Sequence, residues 1–163
     1  MRRIGLISDT HGFIDDLTLI KLDECDEVWH AGDIGSIEVI EKIKKIKPLK
    51  AVFGNIDNNK IRNCFPKNNR FNCEEVDVWI THIGGYPNRY DKNVKIEIKK
   101  NPPRLFVCGH SHILKVMYDK KHNLLYLNPG AIGKYGIHKV RTLLRFTIDK
   151  KAIQDLEVIE FKK

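Results

Sequence analysis

The sequence predicts an α/β fold in which parallel strands are covered by helices. Three observations carry that reading. Short apolar runs alternate with stretches of helical spacing, giving the order βαβαβ from the amino end to Asn55. Five times an apolar run ends and a polar residue, Asp, Asn or His, follows at once. The chain's 163 residues are enough for one domain with a sizeable core and few for two.

Residues 4–7 read as a strand that stops at a polar cluster, and Leu17, Ile20 and Leu22 mark a helix. Residues 28–31 form a second short apolar run ending in Gly-Asp. Ile37, Val39, Ile40, Ile43 and Ile46 follow at helical spacing, with lysines and glutamates opposite. Pro48 ends that helix, and residues 51–53 give a third strand ending in Gly54-Asn55. Such a succession predicts a parallel sheet. Residues 58–70 are polar and irregular, broken by Pro66. Residues 76–81 are a strand running into His82, followed by a Gly-Gly-Tyr-Pro loop and a helix over 92–99 that Pro102-Pro103 stops. A strand over 105–108 ends in Gly109-His110. Further strands are expected at 114–119, 123–127, 141–148 and 153–161, the last two joined by a turn at Asp149-Lys150-Lys151. With no repeat, linker or low-complexity tract, the expectation is a single domain over residues 1–163.

Composition excludes several classes. A hydrophobic fraction of 42% and a charged fraction of 31% are ordinary for a soluble globular protein, and no apolar run approaches the roughly 18 residues a membrane span needs. Met1-Arg2-Arg3 precedes an apolar stretch that stops at Ser8-Asp9, too short for a signal peptide and better read as a buried strand, so a cytoplasmic location is expected. Cys25, Cys64, Cys73 and Cys108 form no C-x-x-C pair and are read as scattered buried thiols. The net charge of +8 is compatible with an anionic partner. However, Lys42, Lys44, Lys45 and Lys47, like Lys95, Lys99 and Lys100, fall on helix faces without interleaved aromatics. Solvated faces are therefore the favoured reading and nucleic acid is not. The sequence leaves homo-oligomerisation open.

The chemistry lies in where polar residues fall. Five apolar strands each end at metal-capable side chains: Asp9-x-His11, Gly32-Asp33, Gly54-Asn55, Thr81-His82 and Gly109-His110-x-His112. In open α/β sheets ligands bind beyond the carboxyl ends of strands, and parallel strands bring all five tips to one edge. Carboxylate, imidazole and amide oxygen together suit two divalent ions such as Mn, Zn, Fe, Ni or Co, with no thiolate to demand a soft metal. Asp33 has two oxygens with which to bridge ions about 3.5–4 Å apart, and a hydroxide held between such ions attacks phosphorus in line. Each residue alone has a plainer reading. Asp9 and Asp33 are competent helix caps, Asn55 suits a turn, and a lone histidine is commonly structural. Seven such residues at five strand tips favour the metal site.

These blocks resemble the calcineurin-like metallophosphoesterase superfamily, and most of all its small prokaryotic phosphodiesterase branch, which shares its fold with a retromer scaffold subunit. The resemblance rests on Ser8-Asp9-Thr10-His11-Gly12, His30-Ala31-Gly32-Asp33, Gly54-Asn55-Ile56-Asp57, Thr81-His82, Gly109-His110-Ser111-His112 and Asn128-Pro129-Gly130-Ala131. It implies a four-layer α-β-β-α sandwich of two mixed β-sheets flanked by helices. It also implies one metal on Asp9, His11 and His112, a second on Asn55, His82 and His110, and Asp33 bridging them. Asp33, Asn55 and His82 would serve catalysis and Asn55 would also touch substrate, with Asp57, His138 and Arg141 as further candidates for substrate contact. His30 is read as structural or as a support behind the ligands, and His122 carries no assignment. Most of the superfamily has Gly-Asn-His-Asp/Glu where this chain has Ile56, which neither donates nor accepts a proton. The implied activity is hydrolysis of a small or accessible phosphate ester, a phosphodiester above all. The alternatives are a protein-binding scaffold of the same fold and, ranked third, a nuclease.

Overall fold

The computed structural model describes every residue from Met1 to Lys163. Strand β1 (Arg2–Ile7) leads into helix α1 (Asp16–Asp23), whose cap Asp15 accepts the Thr18 N–H at 3.0 Å. Strand β2 (Glu27–His30), helix α2 (Ile37–Ile46) and strand β3 (Leu49–Ala51) follow. Helix α2 buries Val39, Ile40 and Ile43 and turns its lysines outward, as the spacing predicts. The third strand begins right after Pro48 and ends two residues before the expected 53. Phe53 turns its N–H to the Pro66 carbonyl (3.1 Å), which takes the chain away from β2.

The polar stretch over 58–70 is not irregular. Asn58 caps helix α3 (Asn59–Cys64) by accepting the Ile61 N–H, and strand β4 (Asn68–Cys73) begins soon after. Strand β4 escapes the periodicity because, at the edge of its sheet, it carries polar side chains and buries only Cys73. Strand β5 (Val76–Thr81) is followed by the small hairpin of β6 (Gly85–Tyr86) and β7 (Arg89–Tyr90) inside the expected loop, then by helix α4 (Lys92–Lys100). Strands β8 (Leu105–Val107), β9 (Leu114–Asp119), β10 (Leu124–Pro129), β11 (Val140–Asp149) and β12 (Ala152–Lys162) complete the chain.

Two five-stranded mixed sheets result. The first has the order β12-β11-β1-β2-β3 and the second β4-β5-β8-β10-β9. Each has a parallel trio, β1-β2-β3 in one and β5-β8-β10 in the other, edged by antiparallel strands. The sheets pack face to face through Ile4, Leu6, Trp29, Val78, Ile80, Val107, Leu127 and Phe146, all fully buried. Residues one position out of phase face the helices. Ile7, Val28 and Ala51 meet α1, α2 and α3 through Leu22, Ile40, Ile43 and Ile61, and Trp79 and Phe106 meet Val94 and Ile98 of α4. This is the four-layer arrangement. Three cysteines are buried and Cys64, expected inside, is exposed; all four are free thiols. No helix is long and apolar enough to cross a membrane.

Because Phe146 fills the seam against Trp29 (ring centroids 5.7 Å apart), Phe146→Ala should lower unfolding free energy by about 3–5 kcal/mol. Ile137→Ala, at a 99% exposed position, should change it by about 0.5 kcal/mol or less. Urea titrations of both variants check this, and similar small shifts in the two would contradict the assignment of the core.

Candidate metal centre

The centre is assembled where the two parallel trios end. Past its last ladder pair, each chain segment stays stitched to its neighbour: Asp9 N–H donates to Gly32 O, His11 N–H to Asp33 O and Gly109 N–H to His82 O, each at 3.0 Å. Two hydrogen bonds cross between the sheets at this point. His110 N–H donates to Asp9 Oδ2 (3.1 Å), and the His82 Nδ1–H donates to Ala31 O (2.7 Å). Five of the seven expected ligands, Asp9, His11, Asp33, His110 and His112, have positive φ between 46° and 67°. That left-handed conformation costs an ordinary residue about 1–2 kcal/mol, and such strain is typical of functional sites. Glycine is needed where the tips approach one another. A Cβ on Gly54 would overlap the Asp33 carboxylate, and one on Gly109 would overlap Ser8 Oγ.

The ligand atoms converge in two groups, Asp9 with His11 and His112, and Asp33 with His82 and His110, each group lying within 4.8 Å. Asp9 Oδ1 is 3.1 Å from His112 Nε2, and Asp33 Oδ1 is 3.2 Å from His82 Nε2. The other Asp33 oxygen lies 3.5 Å from His11 Nε2, so this carboxylate faces both groups. Two donors on one ion with bonds of about 2.0–2.2 Å sit roughly 3–3.5 Å apart, which these separations match. Asp9 Oδ1, His11 Nε2 and His82 Nε2 are buried and have no hydrogen-bond partner. Leaving such atoms unpaired costs about 1–3 kcal/mol each; one cation on Asp9 and His11 and a second on His82 would satisfy all three. The residues present therefore fit a pair of divalent ions.

The electrostatics agree. Burial pushes the Asp9 carboxyl upward, but His11, His112 and His82 outweigh it and hold the group ionised, far below the usual range. Asp33 is likewise lowered against its burial by His82 and by the Ile56 N–H. Burial lowers His82, yet the carboxylates of Asp33 and Asp9 raise it above the ordinary histidine value. With its Nδ1–H held by Ala31 O, the His82 Nε2 atom faces the carboxylates, the orientation in which a ligating imidazole is fixed.

The remaining expected residues are placed as follows. Asn55 lies beside this centre, with Ile56 N–H donating to Asp33 Oδ1 (3.1 Å) and its own carbonyl accepting from Arg62 Nη2 (3.2 Å). Asp57, expected near substrate, instead accepts the backbone N–H groups of Ile34, Gly35 and Gly54, which ties the β2 and β3 tips together. Arg141 is buried and braced away from the ligands: its three nitrogens donate to Lys162 O, Ile132 O and Asp15 Oδ2. His138 packs edge-on against His112 (5.4 Å between centroids), with Nε2 held on Gly133 O. Neither Asp9 nor Asp33 caps a helix; those caps are Asp15 and Ser36. His30 is structural, as expected. Its Nδ1 accepts the Gly32 N–H, so Nε2–H meets Thr10 Oγ1 (2.9 Å), whose hydroxyl donates to Ile34 O; burial pushes the imidazole down to about 4, keeping it neutral. His122 lies apart, against Asp119.

Sequence reasoning missed Arg62 and the packing of Tyr135 against His11 (centroids 4.8 Å). Arg62 lies in α3, within the stretch read as irregular; the capping asparagine Asn58 four positions before it is the signal that could have marked the helix. Nothing in the local pattern marked Tyr135.

The chain matches the family model of the calcineurin-like phosphoesterase superfamily domain over residues 1–151. No curated protein matches it. Among solved structures, it is similar to wild-type Vps29 of Entamoeba histolytica complexed with Zn²⁺, at 14% identity and a TM-score of 0.76 over 98% of each chain. It is also similar to an archaeal phosphodiesterase, at 22% identity and a TM-score of 0.73, covering 96% of this chain and 99% of that one. A predicted phosphoesterase of Streptococcus pneumoniae aligns at 20% identity and a TM-score of 0.65 over 99% and 98% of the two chains. At these identities the structural likeness speaks for the fold, whereas the family model spans nearly the whole sequence: the chain belongs to the calcineurin-like phosphoesterase superfamily.

Proposed function

We propose that this chain is a single-domain, metal-dependent phosphodiesterase acting on a small or accessible phosphate ester. The observation that carries the proposal is the facing pair of ligand groups, with three buried donor atoms that nothing in the protein satisfies. Asp9, His11 and His112 would hold one divalent ion, Asn55, His82 and His110 a second, and Asp33 both. Ions bound there supply Lewis-acid polarisation of phosphoryl oxygens and an acidified water. The chain's own groups do the positioning. His82 is locked by Ala31, Asp33 is oriented by the Ile56 N–H, and Asp57 fixes the loops bearing Asp33 and Asn55.

A side chain able to protonate the leaving oxygen is missing at position 56, where Ile56 is 47% exposed beside Asn55. Departure then depends on the leaving group's own acidity. Favoured substrates should be esters with acidic leaving groups.

The scaffold reading draws on the resemblance to the retromer subunit and on one observation. Val116 and Tyr118, which share one face of edge strand β9, are exposed, as is Ile113 just before it, and exposed apolar surface marks interaction sites. Metal content of the purified protein and hydrolysis of a nitrophenyl phosphodiester with Mn²⁺ separate the two readings; lack of both favours the scaffold.

Saturating Mn²⁺ or Zn²⁺ should raise the melting temperature by about 5–10 °C, given a stabilisation of about 2.7 kcal/mol at a hundredfold excess over Kd. In Asp33→Ala, which would lose contact with both ions, the rise should largely vanish. An equal rise in the variant would remove Asp33 from the centre. Installing Ile56→His should accelerate esters with poor leaving groups by about 10²-fold or more and flatten the dependence of rate on leaving-group pKa. An unchanged slope would count against the missing-acid account. Asp57→Ala leaves three N–H groups without their acceptor. It should weaken metal binding as well as stability, read by calorimetric metal titration, and native metal affinity in this variant would refute the positioning role.

A further inference from the structure

We infer that the preferred substrate is a phosphodiester carrying a second phosphate on a nucleoside-sized arm, which lies in a cleft beside the metal centre. The inference rests on the phosphodiesterase reading above and names its substrate class. A half-open cleft of about 750 Å³ starts at Asn55 and His82 and runs over the outer face of the second sheet to α4. Its volume is in the range of small-molecule sites. Because His82 and Asn55 form its inner end, an ester held at the centre through its phosphorus has this space open to one of its two arms.

The charge is unevenly distributed along the cleft. Arg62 and Lys67 flank the end near the centre. The cleft's ion pairs are those of Arg70 with Asp77 and Glu97, which leaves Arg62 and Lys67 without carboxylate partners. Arg62 is immobilised by Asp57 O and Asn55 O and by Phe53, whose ring lies 4.9 Å from its guanidinium, so Nη1 stays unpartnered. The far end carries Glu97 beside Arg70 and repels an anion, while Asp91, whose N–H donates to Gly84 O (3.0 Å) just past His82, borders the near end on the β8 side, across β5 from Lys67. A second anionic group is therefore favoured at the near end, within one sugar's length of the reacting phosphorus. The fork of Arg62 and the ammonium of Lys67 suit phosphate. Between the two ends, the Trp79 indole N–H donates to Asn68 Oδ1 (3.2 Å), which leaves the Asn68 amide N–H₂ free to donate to a sugar or base.

A matched pair of probes tests this: thymidine 5′-(p-nitrophenyl phosphate), and the same ester bearing a 3′-phosphate. With Mn²⁺, kcat/KM for the phosphorylated ester should exceed the other by about tenfold, the worth of one good charge-assisted contact. Lys67→Gln should bring the ratio close to one. Lys99→Gln, an equal change of charge outside the cleft, should preserve it. Binding supplies a readout independent of turnover. Trp79 lines the cleft while Trp29 is sealed in the core, so tryptophan fluorescence should report thymidine 3′,5′-bisphosphate binding about tenfold tighter than thymidine 5′-monophosphate, a difference lost in Lys67→Gln. If neither ester is hydrolysed but the difference in Kd holds and needs Lys67, the phosphodiesterase reading falls and the subsite stands. Equal Kd values for the two nucleotides, or a difference that survives Lys67→Gln, overturn the inference whether or not hydrolysis occurs.

Discussion

Asp9 and Asp33 are the constraint around which this molecule is built: two ionised carboxylates held in the interior, faced by imidazole nitrogens that do not fully satisfy them. Buried charge of one sign is costly unless it is paired. Here the pairing comes from His11, His82 and His112, which approach the carboxylates to between 3.1 and 3.9 Å without completing hydrogen bonds to every donor atom. That arrangement is poor as a salt-bridge network and good as a cage for cations. The left-handed backbone at five ligands adds to the cost. A fold carrying such a centre needs a rigid apolar base, and the seam of fully buried Ile, Leu, Val, Trp and Phe between the sheets supplies one directly beneath.

Neither sheet alone makes the centre. Each ligand group draws on both, Asp9 and His11 from the first sheet meeting His112 from the second, and Asp33 from the first meeting His82 and His110 from the second. The geometry therefore depends on the relative setting of the two sheets, and the bonds from His110 N–H to Asp9 and from His82 to Ala31 O fix it at the ligands themselves. A slight slide of one sheet across the other would open both groups at once. This couples packing in the core to chemistry at the edge more tightly than in a site carried by one sheet.

Much of this could be read from the residues because the chemistry coincides with strand ends. Ile4, Leu6, Trp29, Ile80 and Val107 announced their strands by apolar runs, and the polar residue after each run marked the edge where it stops. The resemblance supplied the second sheet, which periodicity alone did not. What stayed hidden has a common physical cause: its partners are distant in sequence. Strand β4 is polar because its edge position and outer face leave it little to bury. Arg141 looked like a pocket cation, and only the fold shows its donors taken by Asp15, Ile132 and Lys162. The cleft joins residues from α3, β4, β5 and α4, whose spacing in sequence carries no sign of their meeting.

The pair Ile56-Asp57 joins an absent proton donor to a backbone clamp. Asp57 turns both oxygens to the N–H groups of Ile34, Gly35 and Gly54 and so clamps the two loops that carry Asp33 and Asn55. Arg62 then locks the clamp from outside through Asp57 O and Asn55 O. On the proposed function, the chain lacks a proton donor at the leaving oxygen and has a firmly held Asp33 and a fixed cation at the cleft mouth. Selection then shifts from protonating any leaving group to choosing the ester. On that reading the substrate would bring an acidic leaving group and would be recognised by charge on its second arm, which Lys67 would read beside an Arg62 whose guanidinium also serves the frame.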